Sequence, residues 1–584
     1  MLRFTACGLA LFLLGACPVI AGAADPKPAA LPAAPAAWTS AEQIQTIRNE
    51  VGKTTGKEAG ADALRQGALR LEEALVYLDR PDVRELGTGS PYLYFRGHDV
   101  RYDLARLYAR LGMKAQAIAA LDAAQRYVWM PDMAARLAKD EAFAGLRGEP
   151  GFEQVLRRSD IAGRLWKGPA ADVPYRDKLG VEERIAGLTQ FWSEARASFA
   201  YFDHVPELDW DRVYLDYLPK VMAAESTRDY YQVLMQLAPL LRDGHTNIYP
   251  PKELAPGFFT RPPLATVLVE DRVLVERVDS AALRAKVAAG DEIVAIDGMP
   301  VHRYAEERVA PYVSASTGQD RKVRTYSYQL LAGDAARPVA LTLRDAAGRE
   351  RTVEVARGGY GDVKKPAPFA LRMLPGGIAY FALDHLESKA AVSAFEQALP
   401  EIMKAKALVI DVRANGGGST GFGWDILCYL SSTPIPNAPQ YVRADDPYLR
   451  AQGGAGVVIW KPLTSSTSRA AVPARPQVFG GKVAVLTGPR TFSAAEDFVL
   501  AFNGLKRGVT VGESTAGSTG QPLFMQLPGG GMARICVKRD LAPDGRDFVG
   551  TGIAPDVPAS QTVQAARAGR DLVLERALAA LGGG

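Results

Sequence analysis

Apolar residues recur at helical spacing from about residue 40 to residue 165. The clearest stretch is "ARLYARLGMKAQAIAAL" (105–121), two amphipathic segments that break at Gly112. A second helical block is predicted over 180–242. There Ile185, Leu188, Trp192, Ala195 and Phe199 share one helical face, and Tyr230, Leu234, Leu237 and Leu241 share another. Both stripes read as core. The block ends at "LRDGHTNIYP", where Asp243-Gly244 signals an exposed turn and His245 follows at once. Residues 262–357 then read as short strands with turns, and a mostly alternating strand and helix pattern begins after the linker "GGYGDVKKPAP".

In that last block "GGIAYFAL" (376–383), "ALVIDVR" (407–413), "KVAVLTG" (482–488) and "GVTVGES" (508–514) are strands. "AVSAFEQALPEIMKA" (391–405) and "SAAEDFVLAFNGL" (493–505) are helices. Alternation of this kind predicts a mostly parallel sheet covered by helices. Residues 432–478, rich in Pro, Gly, Ser and Thr, read as an inserted loop or lid. The stretch around Gly112 resembles one tetratricopeptide-like hairpin, a single copy where an array needs about three. "AAGDEIVAIDGMPV" (288–301) resembles the PDZ domain, a β-module that takes peptides by adding them as a strand. "PGFF" (256–259) is the candidate for its carboxylate-binding loop.

The fold class is therefore α/β and multidomain. The expected parts are a signal peptide (1–24), a Pro/Ala linker (25–38), a helical, tetratricopeptide-like region (39–168), a helical bundle ending in the His245 turn (169–255), a PDZ-like domain (256–358) and an α/β core (369–575).

Composition narrows the function classes. The formal net charge is +4 with no basic block, which gives no case for nucleic acid. The opening "MLRFTACGLALFLLGACPVIAGAADP" has one Arg, a short apolar run and small residues, the pattern of a secretory signal. It predicts export, to the periplasm. "LLGAC" would also suit lipid anchoring at Cys17, the one route to a membrane, although Pro18 argues for ordinary cleavage. Outside this segment the cysteines are Cys428 and Cys536, read as two buried thiols or a single bridge. Neither Cys-x-x-Cys nor His-Glu-x-x-His occurs, so no metal or other cofactor is implied. "VGKTTG" (51–56) lacks the first glycine of a phosphate loop, its place being Ile47.

Two serines compete as nucleophile. "GGSTG" (417–421) matches Gly-x-Ser-x-Gly, but that fold places its histidine after the serine, and the last histidine here is His385. Gly417 and Gly418 better suit a turn whose N–H groups face developing negative charge. Ser493, in "GPRTFSAAEDF", follows a strand and opens a helix, which puts its hydroxyl at the sheet edge where ligands bind. Ser493 and Glu496 also spell a capping box, a purely structural role that does not exclude the other. The Ala494 N–H would point to the same spot. A serine nucleophile needs a base. Among His98, His204, His245, His302 and His385, the turn residue His245 is the best candidate.

With these motifs in order, residues 180–570 resemble the tail-specific or C-terminal processing serine peptidases, in the branch that includes the tricorn core protease. The carriers are "LRDGHT", "GDEIVAIDG", "ALVIDVRANGGGS" and "VLTGPRTFSAAEDF", then "VGESTAGSTGQ" and "GTGIAPDV". The resemblance implies peptide-bond cleavage of peptide or unfolded protein substrates through an acyl-enzyme on Ser493. It implies oxyanion donors at Gly417, Gly418 and Ala494. Many members use a lysine as base, and Ser518 stands at its place here. Lys506 and Lys538 are not at matching positions. The histidine-using branch implies His245 as base with a later carboxylate. Asp547 is the candidate to orient the imidazole, with Glu496 and Glu513 as alternatives. Two rival readings are a catalytically inactive peptide-binding protein of the same fold and a serine esterase.

Overall fold

The computed structural model describes residues 37–582, apart from 89–90, 127, 167–169, 171, 362, 364–366, 437, 445–446, 455, 464–474 and 476. The expected signal segment, Cys17 and most of the Pro/Ala linker lie outside the described residues. Among these residues no helix is long and apolar enough to cross a membrane.

The N-terminal region is helical. Its hairpin is Pro91–Arg110 followed by Lys114–Gln125, with Gly112 at φ +75° in the break. Leu71, Val100 and Leu104 centre one small core, and Leu121, Phe143 and Phe152 a second. The helical bundle that follows (Val181–Ser198, Trp210–Ala223, Thr227–Leu234) is not separately cored. Phe191, Tyr231 and Leu234 join Phe381, Phe498 and Ile535 in one apolar cluster with the α/β part. Tyr231 adds a polar tie, its hydroxyl donating to the Pro528 carbonyl (2.7 Å).

Residues 262–357 form the expected short strands with turns and add a helical stretch to them. A six-stranded antiparallel sheet has its five longer strands in the order Leu264–Val269, Arg272–Val278, Glu292–Ile296, Val339–Arg344, Glu350–Val355, with the short Met299–Pro300 paired to the third, and has its own core. Between its third and fourth long strands the chain is helical, through Val301–Tyr304 and again through Gly318–Lys322, continued by wide π-type turns over Val323–Gln329. "PGFF" lies in a short helix, Ala255–Phe258, and its end.

The α/β part is built on a six-stranded sheet. Its order is Val557–Pro558, Val509–Gly512, Lys482–Thr487, Ala407–Asp411, Ile378–Leu383, Phe369–Leu374. All neighbours are parallel except the last pair. The middles of the central strands, Ala407–Ile410 and Val483–Leu486, are apolar because helices cover both faces; Val409, Ile410 and Val485 are wholly buried. In the expected insertion, Gln440–Ala444 pairs with Ile459–Pro462 and with Lys538–Asp540. Cys428 and Cys536 are both buried and unbridged.

Candidate active site

The strand Lys482–Thr487 delivers the chain to the C-terminal edge of the sheet, and the helix Ala494–Gly504 starts seven residues on. Ser493 sits between them at φ +59° and ψ −128°. A non-glycine residue there stores roughly 1–3 kcal/mol of strain and persists only where its surroundings impose it. They do: the Phe492 N–H donates to Asn415 O (3.0 Å) and the Ser493 N–H to Ser518 O (3.0 Å). The capping box is used on one side. The Ser493 N–H also approaches the Glu496 carboxylate (3.2 Å), but the hydroxyl makes no cap bond. It faces His245 instead, with Oγ 3.0 Å from Nε2.

His245 is held from several directions. Its Nδ1 lies 3.0 Å from Ser518 Oγ. Its ring stacks on Phe492, with centroids 4.5 Å apart and planes at 15°. The strand Asn247–Tyr249 pins the following residues to Gly531–Cys536, with Asn247 opposite Arg534. The expectation of an exposed turn is corrected, since His245 is only 3% exposed. Asp243 turns inward, its carboxylate accepting from the His245 N–H (3.0 Å) and the Thr246 hydroxyl (2.8 Å). Burial, then the charges of Arg534, Arg324 and Lys538, hold the imidazole pKa well below its ordinary value. A neutral ring with its proton on Nδ1, donated to Ser518, leaves the Nε2 lone pair toward Ser493.

Asp547 does not orient this ring. It is exposed, and its backbone bridges to Leu541. The segment buries Phe548 and Val549 instead, and Ser518 occupies the Nδ1 side. Glu513 is also exposed and accepts from Ser560 (3.2 Å). Lys538 is committed to Asp540 (2.8 Å). Two other histidines are engaged elsewhere: His204 packs at a tilt against Tyr201 and His302 bonds Tyr326.

Glu496 acts on the backbone, not on the imidazole. One oxygen accepts from Thr515 Oγ1 (2.6 Å) and the Gly517 N–H (2.7 Å), and the other from the Ser518 N–H (2.9 Å). It thus ties the Ser518 loop to the turn bearing Ser493. Burial raises its pKa from 4.5 to about 7 despite these donors. Folding therefore favours its protonated form, and the stability linked to it is full below the unfolded value and lost as pH rises through about 7. Relative to Glu496→Gln, wild type is expected to lose about 3 kcal/mol between pH 4 and 8. Paired urea titrations check this; a pH-independent difference contradicts it.

The glycine turn completes the site. Gly417 and Gly418 have φ +99° and +138°. A Cβ on Gly417 would stand 2.7 Å from Ser493 Cβ, and one on Gly418 only 2.1 Å from the Leu386 carbonyl. The Gly417 N–H is already committed, donating to Asn415 Oδ1 (2.9 Å), a correction to its expected role as a free donor. Buried Asn415 is itself held by Leu383 O (2.8 Å). The N–H groups of Gly418 and Ala494 have no acceptor among the described residues. Sequence reasoning missed Asn415, Phe492 and the positioning use of Ser518. For Ser518 the signal was a small polar residue at the lysine's place.

Residues 377–559 match the family model described as peptidase family S41, and residues 268–333 match the N-terminal domain of the Bacteroidetes S41 peptidases. No curated protein matches the chain. Among solved structures the chain is similar to mature CPAF complexed with lactacystin, at 15% identity and TM-score 0.51, covering 66% of this chain and 95% of that one. It is also similar to the photosystem II D1 C-terminal processing protease (22% identity, TM-score 0.39, 65% and 93% covered). The tricorn protease matches at 17% identity and TM-score 0.35, with 69% and 36% covered. The first of these likenesses speaks to the fold, and the S41 match coincides with the strands and turns that carry Gly417, Ser493 and Ser518. The chain is a serine-type peptidase whose residues 377–559 and 268–333 are similar to peptidase family S41.

Proposed function

We propose that this chain is an exported serine endopeptidase. It cleaves peptide or unfolded-protein substrates through an acyl-enzyme on Ser493, with His245 as base and Ser518 where a triad places its acid. The observation that carries the reading is the line of contacts Ser493 Oγ–His245–Ser518 Oγ, 3.0 Å on each side of one buried ring.

The steps follow from that line. Nε2 takes the Ser493 proton as Oγ bonds to the substrate carbonyl carbon, and the carbonyl electron pair moves onto oxygen. The Gly418 and Ala494 N–H groups, which have no acceptor among the described residues, receive that oxyanion. The positive field of Arg534, Arg324 and Lys538 opposes imidazolium and favours the anion alike. The intermediate collapses, the C–N bond breaks, and Nε2–H gives its proton to the leaving amine. Water then gives a proton to Nε2 and attacks the ester, which frees the acid and restores Ser493.

A neutral hydroxyl steadies the ring's tautomer and orientation but offers an imidazolium little charge stabilisation. Ser518→Ala is expected to lower kcat about tenfold with KM unchanged, far less than loss of a triad carboxylate. The acid limb of kcat/KM is expected below pH 6.5, because the lowered imidazole pKa keeps the base neutral there. An acid limb above pH 6.5 contradicts the assignment. Engagement of substrate by the PDZ-like module would use the free edge of Leu264–Val269, an edge that this chain covers itself. The test of the function as a whole is cleavage of an unstructured protein against hydrolysis of a short-chain ester. Endoproteolysis with a burst of acylation supports it, and ester turnover without proteolysis overturns it.

A further inference from the structure

We infer that the segment Ser314–Leu331 permanently fills the peptide groove of the PDZ-like module and uses that anchorage to position His245 and the Ser518 loop, so that this peptidase does not read the free C-terminus of its substrate. The inference rests on the proposed site for its catalytic half and is independent of it for the groove.

A PDZ-type module takes a peptide by adding it to a sheet edge and burying its side chains beside a helix. Leu264–Val269 is the edge strand of the sheet. Across that edge lie the turns Val323–Gln329, and the Thr266 hydroxyl donates to Tyr326 O (2.5 Å). Tyr326, Leu330 and Leu331 belong to the module's core together with Val301 and Ala305 of the facing helix. The Tyr326 hydroxyl meets His302 Nδ1 on that helix (2.9 Å). At the entry, Arg261 donates to Tyr328 O (2.9 Å) and Thr260 bridges to Gly333. An incoming tail would have to expel Leu330, 1% exposed, and break the bonds on both walls.

The other end of the segment lies on the candidate active site. The Gly244 N–H donates to Ser316 Oγ (3.0 Å), next to His245. Thr317 Oγ1 donates to Ala516 O (2.7 Å). The Gln319 amide donates to Thr515 O (3.0 Å) and Thr551 O (2.8 Å), clamping the loop that carries Ser518. Arg324 pairs with Asp320 (2.7 Å) and lies over Phe492, 4.9 Å from its centroid, the ring on which His245 stacks. Groove filling and site bracing are therefore one piece of chain, and a peptide that displaced the first would loosen the second.

Two measurements on the full chain test this. The first uses the Ser493→Ala protein and fluorescein-labelled peptides ending in a free apolar carboxylate. No saturable anisotropy change is expected up to about 1 mM. Saturable binding that C-terminal amidation abolishes would overturn the filled groove, whether or not the wild type is active. The second uses turnover of one peptide substrate. Gln319→Ala and Thr317→Val are each expected to lower kcat about tenfold with KM unchanged, while Thr317→Ser keeps wild-type kcat. Unchanged kcat in both variants, or loss in Thr317→Ser as well, would overturn the positioning role. A wild type that reacts with no serine-directed reagent would instead count against Ser493, and the anisotropy result would still decide the groove.

Discussion

Ser493→Ala and His245→Ala are each expected to lower kcat by about a millionfold, and the double variant no further than either alone. The reason is that in the proposed mechanism the two groups perform one act. Ser493 Oγ without a base is a poor nucleophile near neutral pH, and Nε2 without the hydroxyl has no proton to move. Their 3.0 Å contact is shielded from water on the histidine side by Phe492, so bulk solvent cannot readily substitute for the ring. Both variants should fold. Ser493 contributes no cap bond to lose, and removal of the imidazole leaves the Asp243 backbone contacts in place. Additive losses, or a small effect of His245→Ala, would mean that the base is elsewhere, and half-buried Lys538 would be the first candidate.

The second large effect is expected at Gly418. A methyl group there would lie 2.1 Å from the Leu386 carbonyl, and φ +138° is a conformation L-residues rarely adopt. The backbone must therefore rotate, and with it the N–H assigned to the oxyanion. Gly418→Ala is expected to cost about 10²–10³ in kcat, the loss typical of one missing oxyanion donor. Gly416→Ala is the control two residues away, since its Cβ would meet nothing within 4 Å. It should keep near wild-type kcat. Equal losses in the two variants would show that the turn responds to any substitution and that the Gly418 N–H has no special part.

What the chain reveals before folding is uneven, and for physical reasons. The run Ala407–Asp411 reads as a central strand because both its faces are covered, so every position up to Ile410 is apolar. Ser493 is legible because a strand, a turn and a helix start follow one another within a dozen residues. His245 is legible as a turn histidine, but not as a buried one. Asp-Gly reports the local bend, whereas Phe492, Arg324 and Arg534, which enclose or face the ring, come from distant stretches. The positive φ of Ser493 has no glycine to announce it. Asp547 stands close before "GTGIAPDV", where the carboxylate is expected, but burial of its neighbours Phe548 and Val549 turns it outward. Glu496 was legible as a cap, which is half of its role; its bonds to Thr515, Gly517 and Ser518 close only when the loop folds back. The helical stretch between the strands of 262–357 is not legible because its apolar residues, Tyr326, Leu330 and Leu331, join that region's core without forming a regular amphipathic stripe.

The most direct measurement is the intact mass of the protein after reaction with a fluorophosphonate, beside Ser493→Ala and His245→Ala. The expected result is one adduct on wild type, mapped to Ser493 and absent from both variants. An adduct on another residue, an adduct that persists in His245→Ala, or none on the folded wild type would contradict the account.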